Sequence, residues 1–187
     1  MDFLSAQKSA LVEHLKRHAL RTDGPFRLAS GGTSDWYLDG RQTTYDGHGA
    51  RLVGACVAEL VVADATAIGG LTMGADPVAV ATAVVSERPM RAFSVRKEPK
   101  AHGTGGRLVG PIDANDRAVV VDDTTTTGAS LVAAAEALKD AGVAVVQAIV
   151  VVDRSGGLAA SRMADLGVPY AAVVTPSDLG IESEASL

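Results

Sequence analysis

Two segments of this 187-residue chain concentrate residues able to do chemistry. In the first, the apolar run Ala118-Val119-Val120-Val121 delivers two acids, Asp122 and Asp123, to a hydroxyl-rich stretch, Thr124-Thr125-Thr126-Thr127-Gly128-Ala129-Ser130, ahead of an Ala-rich helical pattern. Backbone N–H groups and Thr hydroxyls at a helix start meet the positive end of the helix dipole and suit a phosphate monoester, and Gly128 lets the backbone approach it closely. Adjacent carboxylates at a strand end accept hydrogen bonds from the vicinal hydroxyls of a ribose, or hold a hydrated divalent cation beside it. A sugar phosphate satisfies both halves of the segment. A plain helix cap and turn would need neither two acids nor four consecutive Thr. No Gly-Lys-Ser/Thr ending and no Gly-x-Gly-x-x-Gly fingerprint occupies this turn, which disfavours P-loop and dinucleotide-binding readings.

The second segment, Arg96-Lys97-Glu98-Pro99-Lys100-Ala101-His102-Gly103-Thr104-Gly105-Gly106, gathers three basic side chains and a histidine within seven residues, and the glycines that follow oppose regular structure. Cations there stabilise a departing anion more in the transition state than in the ground state, and closure of the segment over a site excludes water. With 17 Lys and Arg against 22 Asp and Glu, the chain carries a net charge of -5. That balance disfavours nonspecific binding to nucleic acid or anionic membranes and makes a local basic cluster informative.

These residues require a scaffold, and the apolar periodicity supplies one. Leu4, Leu11, Val12, Leu15 and Ala19 fall at helical spacing behind Ser5 as N-cap. Residues 24–45 mix Gly, Ser and Thr with Phe26, Leu28, Trp36, Tyr37 and Leu38, which predicts short strands joined by turns. Strand and helix then alternate: helix over 47–63, strand over 66–68, a glycine-bearing turn, helix over 76–85, strand over 91–96, loop over 97–107, strand over 117–121, helix over 129–141, strand over 143–152, a helix from about 157 and a strand over 168–174. The predicted fold is α/β: one domain with a central, mostly parallel sheet flanked by helices, a small N-terminal hood over about 1–45 and a core over about 46–180. Cys56, alone and within an apolar stretch, reads as a core residue, and one cysteine allows no disulfide framework. His14, His18 and His48 show no metal-ligand spacing and read as helix-surface or loop residues. The absence of a basic leader or a long apolar run leads to the expectation of a cytoplasmic protein.

The strand, acid pair and Thr/Gly loop resemble the phosphoribosyl pyrophosphate motif of the type I phosphoribosyltransferases, a family that includes regulators as well as enzymes for several bases. Within it, the pattern Arg-Lys-x-x-Lys-x-His-Gly-x-Gly-Gly is similar to the catalytic loop of the orotate phosphoribosyltransferases. Ser30-Gly31-Gly32-Thr33-Ser34-Asp35-Trp36-Tyr37-Leu38-Asp39 resembles their hood segment, and Gly69 to Pro77 their glycine-rich turn near the pyrophosphate. The resemblance implies transfer of a phosphoribosyl group from phosphoribosyl pyrophosphate to orotate in de novo UMP biosynthesis, a type I phosphoribosyltransferase fold, and a homodimer with shared active sites. It further implies Mg2+ bound mainly through substrate and water, with no direct protein ligand.

The same resemblance assigns Arg96, Lys97, Lys100 and His102 to pyrophosphate, Asp122 and Asp123 to the ribose, Thr124, Thr125, Thr126, Thr127, Gly128, Ala129 and Ser130 to the 5-phosphate, and Thr126 also to positioning of the base. The hood around Tyr37 and Leu38 would hold orotate through backbone groups. Arg154, at the end of the next strand, either reads the orotate carboxylate with its guanidinium fork or merely caps the strand, and the resemblance favours the first. Ala29 stands where many relatives carry Lys.

Overall fold

The β-branched and Ala-rich segments alternate in space as they do in sequence. The structure is a computed structural model describing residues 3–27, 33–99 and 106–181. Helix α1 (Phe3–His18) leads into the hood strands β1 (Leu20–Arg21), β2 (Phe26–Arg27), β3 (Thr33–Ser34) and β4 (Tyr37–Leu38), which form two antiparallel pairs, β1 with β4 and β2 with β3. A short helix α2 (Arg41–Thr44) follows, then α3 (Gly47–Leu60), β5 (Ala67–Leu71), α4 (Ala75–Val85), β6 (Arg91–Val95) and β7 (Leu108–Val109). The chain continues through β8 (Arg117–Thr125), α5 (Ala129–Asp140), β9 (Ala144–Asp153), α6 (Leu158–Asp165) and β10 (Tyr170–Val174) to a final 3-10 turn at Pro176–Leu179.

The main sheet has six strands in the order β10-β9-β8-β5-β6-β7, parallel except for the edge strand β7. Alternation along the strands divides the core. Val119, Val121, Ile149 and Val151 pack with Leu11, Leu15, Val53 and Val57 of α1 and α3, while Ala118, Val120 and Ala148 pack with Leu131, Leu138 and Met163 of α5 and α6. Both faces of the sheet are therefore covered, as the continuous apolar runs predict. Cys56 is fully buried, and burial pushes its thiol up to about 11, which suits a core residue.

Several boundaries differ from the sequence reading. Ser5 lies inside α1, where its carbonyl accepts from the Ser9 hydroxyl at 2.8 Å, so it is not the N-cap. β5 runs on through Gly69 and Gly70 to Leu71. β8 extends to Thr125, because its pairing with β9 continues to Thr125 opposite Asp153. Asp122, Asp123, Thr124 and Thr125 thus belong to a strand, not to the loop; Thr is β-branched and fits a pleated backbone well.

The histidine reading also changes. His14 is not a surface residue: its side chain is 8% exposed, with Nε2 3.1 Å from Asp46 Oδ1 and Nδ1 3.2 Å from Thr43 Oγ1. It joins α1 to the α2–α3 junction, where Asp46 caps α3 by accepting from the His48 and Gly49 N–H groups.

Candidate active site

The sheet order contains a reversal. From β5 the chain moves outward through β6 to β7, and then returns to the other side of β5 with β8 before moving outward again to β9 and β10. At such a switch point the connections leave in opposite directions and open a crevice at the carboxyl ends of the strands. Here the paired residues of β5 and β8 end at Gly69 opposite Val120, while β8 continues for five more residues beside β9. A cleft of about 600 Å³ occupies this position. Its walls are the end of β8, the turn Thr72–Gly74 after β5, the start of α2 with β4, and Lys97 beyond β6.

Of the residues singled out in the sequence, the structure brings Tyr37, Leu38, Lys97, Asp122, Asp123, Thr124 and Ser130 into this lining. Asp122 and Asp123 are buried, at 6% and 8% exposure, and lie side by side: the Asp123 N–H donates to Asp122 Oδ1 at 3.0 Å and the Thr124 N–H to Asp123 Oδ1 at 2.8 Å. Burial first, and then the charge of Asp123, push the Asp122 carboxyl up to about 8, with the Ser130 hydroxyl opposing the rise. Asp123 is also raised, mainly by burial, and the Arg41 guanidinium works in the opposite direction. A carboxyl pair held this way gains from anything that brings hydrogen-bond donors or positive charge, such as sugar hydroxyls or a hydrated dication.

Thr126 and Thr127 are exposed in the turn, and Thr125 is buried with its hydroxyl accepting from the Gly128 N–H at 2.9 Å. Thr127 Oγ1 accepts from the Ala129 N–H at 3.3 Å. Gly128 has φ +76°, and a Cβ there would stand 2.9 Å from Ala159 Cα, so the glycine serves the turn and the packing on α6. No side chain hydrogen-bonds as N-cap of α5, whose first turn carries Ala129 and Ser130. Thr125, Thr126, Thr127, Gly128 and Ala129 accordingly shape the turn beside the cleft, and among the described residues only Thr124 and Ser130 of this stretch face it.

Arg96 and Arg154 are also outside the described cleft lining. The Arg96 N–H donates to the Arg107 carbonyl at 2.8 Å and Arg107 Nε donates back to the Arg96 carbonyl at 2.9 Å, which brings the two ends of the basic segment together. Arg154 follows β9 directly; its N–H donates to the Thr125 carbonyl at 2.8 Å, and its Cζ lies 3.8 Å from the Trp36 ring centroid, a cation–π stack between sheet end and hood. Asp153 beside it accepts from the Ser155 N–H at 2.7 Å and the Tyr170 hydroxyl at 2.9 Å, fixing the turn that carries the arginine. Lys100 and His102, and the hood positions Leu28 to Gly32 including Ala29, lie outside the described residues.

The sequence reading named Asp39 only as the end of the hood segment, missed Gly40 and Arg41 and underused the turn Thr72–Gly74, all of which line the cleft. A Cβ on Gly74 would meet Asp123 Oδ1 at 2.6 Å and Asp122 Oδ1 at 2.9 Å, and one on Gly40 would meet Asp123 Oδ2 at 3.0 Å. The acid pair is therefore held between two glycine backbones. In this turn the Thr72–Met73 peptide bond is cis, and the Thr72 hydroxyl donates to Asp76 Oδ2 at 2.7 Å. The Gly-bearing spacing after β5 signalled this turn, but nothing in the pattern around Arg41 did.

A six-stranded α/β sheet whose switch point carries two acids and a helix start defines a phosphoribosyltransferase-type protein, and residues 68–181 match the family model for the phosphoribosyl transferase domain. Orotate phosphoribosyltransferases from Streptomyces avermitilis and Corynebacterium glutamicum are 42% and 40% identical over 179 residues, covering 94% and 95% of this chain and 98% and 97% of theirs. The crystal structure of the Mycobacterium tuberculosis H37Rv orotate phosphoribosyltransferase in complex with Fe(III) dicitrate superposes with a TM-score of 0.85 at 39% identity, over 94% of this chain and 99% of that one. The same enzyme in complex with 5-phospho-alpha-D-ribosyl 1-diphosphate gives 0.81 at 35% identity, again over 94% of this chain and 99% of that one. The chain belongs to the orotate phosphoribosyltransferase family.

Proposed function

We propose that the cleft at the β5–β8 switch point binds phosphoribosyl pyrophosphate and orotate and joins them, giving orotidine 5'-monophosphate and pyrophosphate. The observation that carries this reading is the buried acid pair, set between two glycine backbones and beside the start of α5. Asp122 and Asp123 take the ribose hydroxyls, and the 5-phosphate lies against the Thr124–Ser130 turn. Arg154, backed by Trp36, reads the orotate carboxylate, and the hood backbone at Tyr37 and Leu38 borders the base. Lys97 lines the cleft, and Arg96 anchors the basic segment that completes the cationic set over the leaving group with Lys100 and His102.

In the reaction, the bond from ribose C1 to the diphosphate oxygen breaks with its electron pair, a ring nitrogen of orotate supplies the pair for the new bond to C1, and the proton that this nitrogen carried passes to the departing diphosphate or to water. Charge stabilisation and positioning carry the rate, and no enzyme nucleophile is required. The acid pair fits a Mg2+ ion bound mainly through substrate and water, since a dication relieves the strain of two adjoining buried carboxylates. When bound, that ion neutralises diphosphate charge. Among the described residues, no group of three or more His, Cys, Asp or Glu is arranged to hold a metal by itself.

The proposal extends to a single unit with a hood over about 1–45 and a core over about 46–180, and to a cytoplasmic homodimer with shared active sites. Val80 and Val84, four apart on α4, and Met73 in the cleft turn are exposed at 55%, 78% and 59%, apolar surface of the kind that a second copy would cover. Among the described residues no helix is long and apolar enough to cross a membrane.

The direct test follows the Mg2+-dependent loss of orotate absorbance on addition of phosphoribosyl pyrophosphate, with uracil and adenine as parallel bases. Consumption of orotate alone supports the reading. Consumption of uracil or adenine, or binding of phosphoribosyl pyrophosphate without turnover, overturns it.

A further inference from the structure

The cleft contains a cation that neither the motif nor the basic segment supplies. Asp39, Gly40 and Arg41 lead from β4 into α2. A Cβ on Gly40 would stand 3.0 Å from both Asp123 Oδ2 and Thr124 Cγ2, so the backbone here lies against the end of β8, and the next residue, Arg41, enters the cleft wall. Among the described lining residues Asp39, Asp122 and Asp123 are the carboxylates, and Arg41 and Lys97 are the cations.

Arg41 is paired with Asp39. Its Nε donates to Oδ1 at 2.8 Å and its Nη2 to Oδ2 at 3.2 Å, which uses two of the five guanidinium N–H groups. The arginine side chain remains 51% exposed, so this is a surface pair of small net worth that a stronger anion can replace. The pairing lowers Asp39, with the Arg41 hydrogen bond as the largest cause, so the carboxylate holds the arginine in place.

We propose that Arg41 is a further substrate-binding residue, which exchanges Asp39 for the diphosphate arm of phosphoribosyl pyrophosphate. The assignment rests on the reaction proposed above. A planar guanidinium matches the adjacent oxygens of a diphosphate as it does those of a carboxylate, and Asp39 shares its acceptor oxygens with the Gln42 amide at 3.3 Å. In the structure the pair holds Arg41 at the cleft wall. When the diphosphate arrives, the arginine adds a contact from the start of α2.

The test is calorimetric titration of inorganic pyrophosphate with Mg2+, together with initial rates, on the full chain and on Arg41→Gln, Arg41→Lys and Asp39→Asn. Arg41→Gln is expected to weaken pyrophosphate and to raise KM for phosphoribosyl pyrophosphate roughly ten- to hundredfold, the range for loss of charge-assisted hydrogen bonds. Under the same change KM for orotate should stay within about twofold, as befits a contact confined to the diphosphate. Arg41→Lys should recover part of the loss, and Asp39→Asn, which removes the internal competitor, should tighten pyrophosphate. Equal losses in Arg41→Gln and Asp39→Asn would show that the pair only holds α2 and would overturn the assignment, as would unchanged pyrophosphate affinity in Arg41→Gln. Failure of the unaltered protein to bind either diphosphate would overturn the proposed reaction and this assignment with it.

Discussion

Asp122→Asn should stabilise the protein while lowering its activity. The Asp122 carboxyl is 6% exposed and, pushed up to about 8 by burial and by Asp123, it keeps its proton at neutrality, whereas in the unfolded chain it ionises near its ordinary value of 3.8. At about 1.4 kcal/mol for each pH unit between 3.8 and 7, the folded state forgoes at most about 4 kcal/mol at pH 7. Because Asp123 is raised as well and the two titrate as a pair, that figure is an upper bound for Asp122 alone. Asn has the same shape and no ionisation to suppress, so the variant should melt higher at pH 7, by about 2–4 °C for each kcal/mol recovered in a chain of this size. The sign follows from linkage: a carboxyl with a raised folded-state value has its full stability below the unfolded value and loses it as pH rises toward the folded one. The variant's advantage should therefore be absent near pH 4, grow up to about pH 8 and stay level above. Urea unfolding of both proteins across that range measures it, with phosphoribosyl transfer followed in parallel and expected to fall roughly 10- to 100-fold. A difference in stability that does not change with pH, or a variant less stable at pH 7, would refute the argument.

Gly74→Ala places a methyl 2.6 Å from Asp123 Oδ1 and should lower kcat/KM by about 100-fold with the fold kept, as judged by circular dichroism. Arg154→Lys loses the fork and the stack on Trp36 and should raise KM for orotate roughly 10- to 100-fold, with KM for phosphoribosyl pyrophosphate little changed in steady-state kinetics. Gln147→Leu removes the amide that accepts from the Val62 N–H at 3.0 Å and donates to the Leu60 carbonyl at 2.8 Å. It should cost about 1–3 kcal/mol in urea unfolding and leave the kinetics of the folded protein intact.

The parts of the fold that were legible are those dictated by local pattern. The β-branched run ending at Val152 became β9, and the spacing of Leu11 and Leu15 became the buried face of α1. The acid pair was legible because its chemistry is compressed into adjacent residues. Other features depended on what meets what in space. The Thr run reads locally as a turn, yet β9 continues beside it and holds Thr124 and Thr125 in the sheet. Arg41 enters the site only because Gly40 permits contact with Asp123, a distance of more than eighty residues along the chain. His14 is buried because α1 crosses the junction of α2 and α3, and Arg154 takes its orientation from Trp36, a hood residue whose position no strand periodicity reports.

The central claim is that the cleft transfers a phosphoribosyl group to a base and does not give it to water. Phosphorus-31 magnetic resonance of a mixture of the protein, Mg2+, orotate and phosphoribosyl pyrophosphate tests this directly. Orotidine 5'-monophosphate and pyrophosphate are expected to appear together, one for one. Pyrophosphate accompanied by free ribose 5-phosphate, or no change in the spectrum while phosphoribosyl pyrophosphate binds, would contradict it.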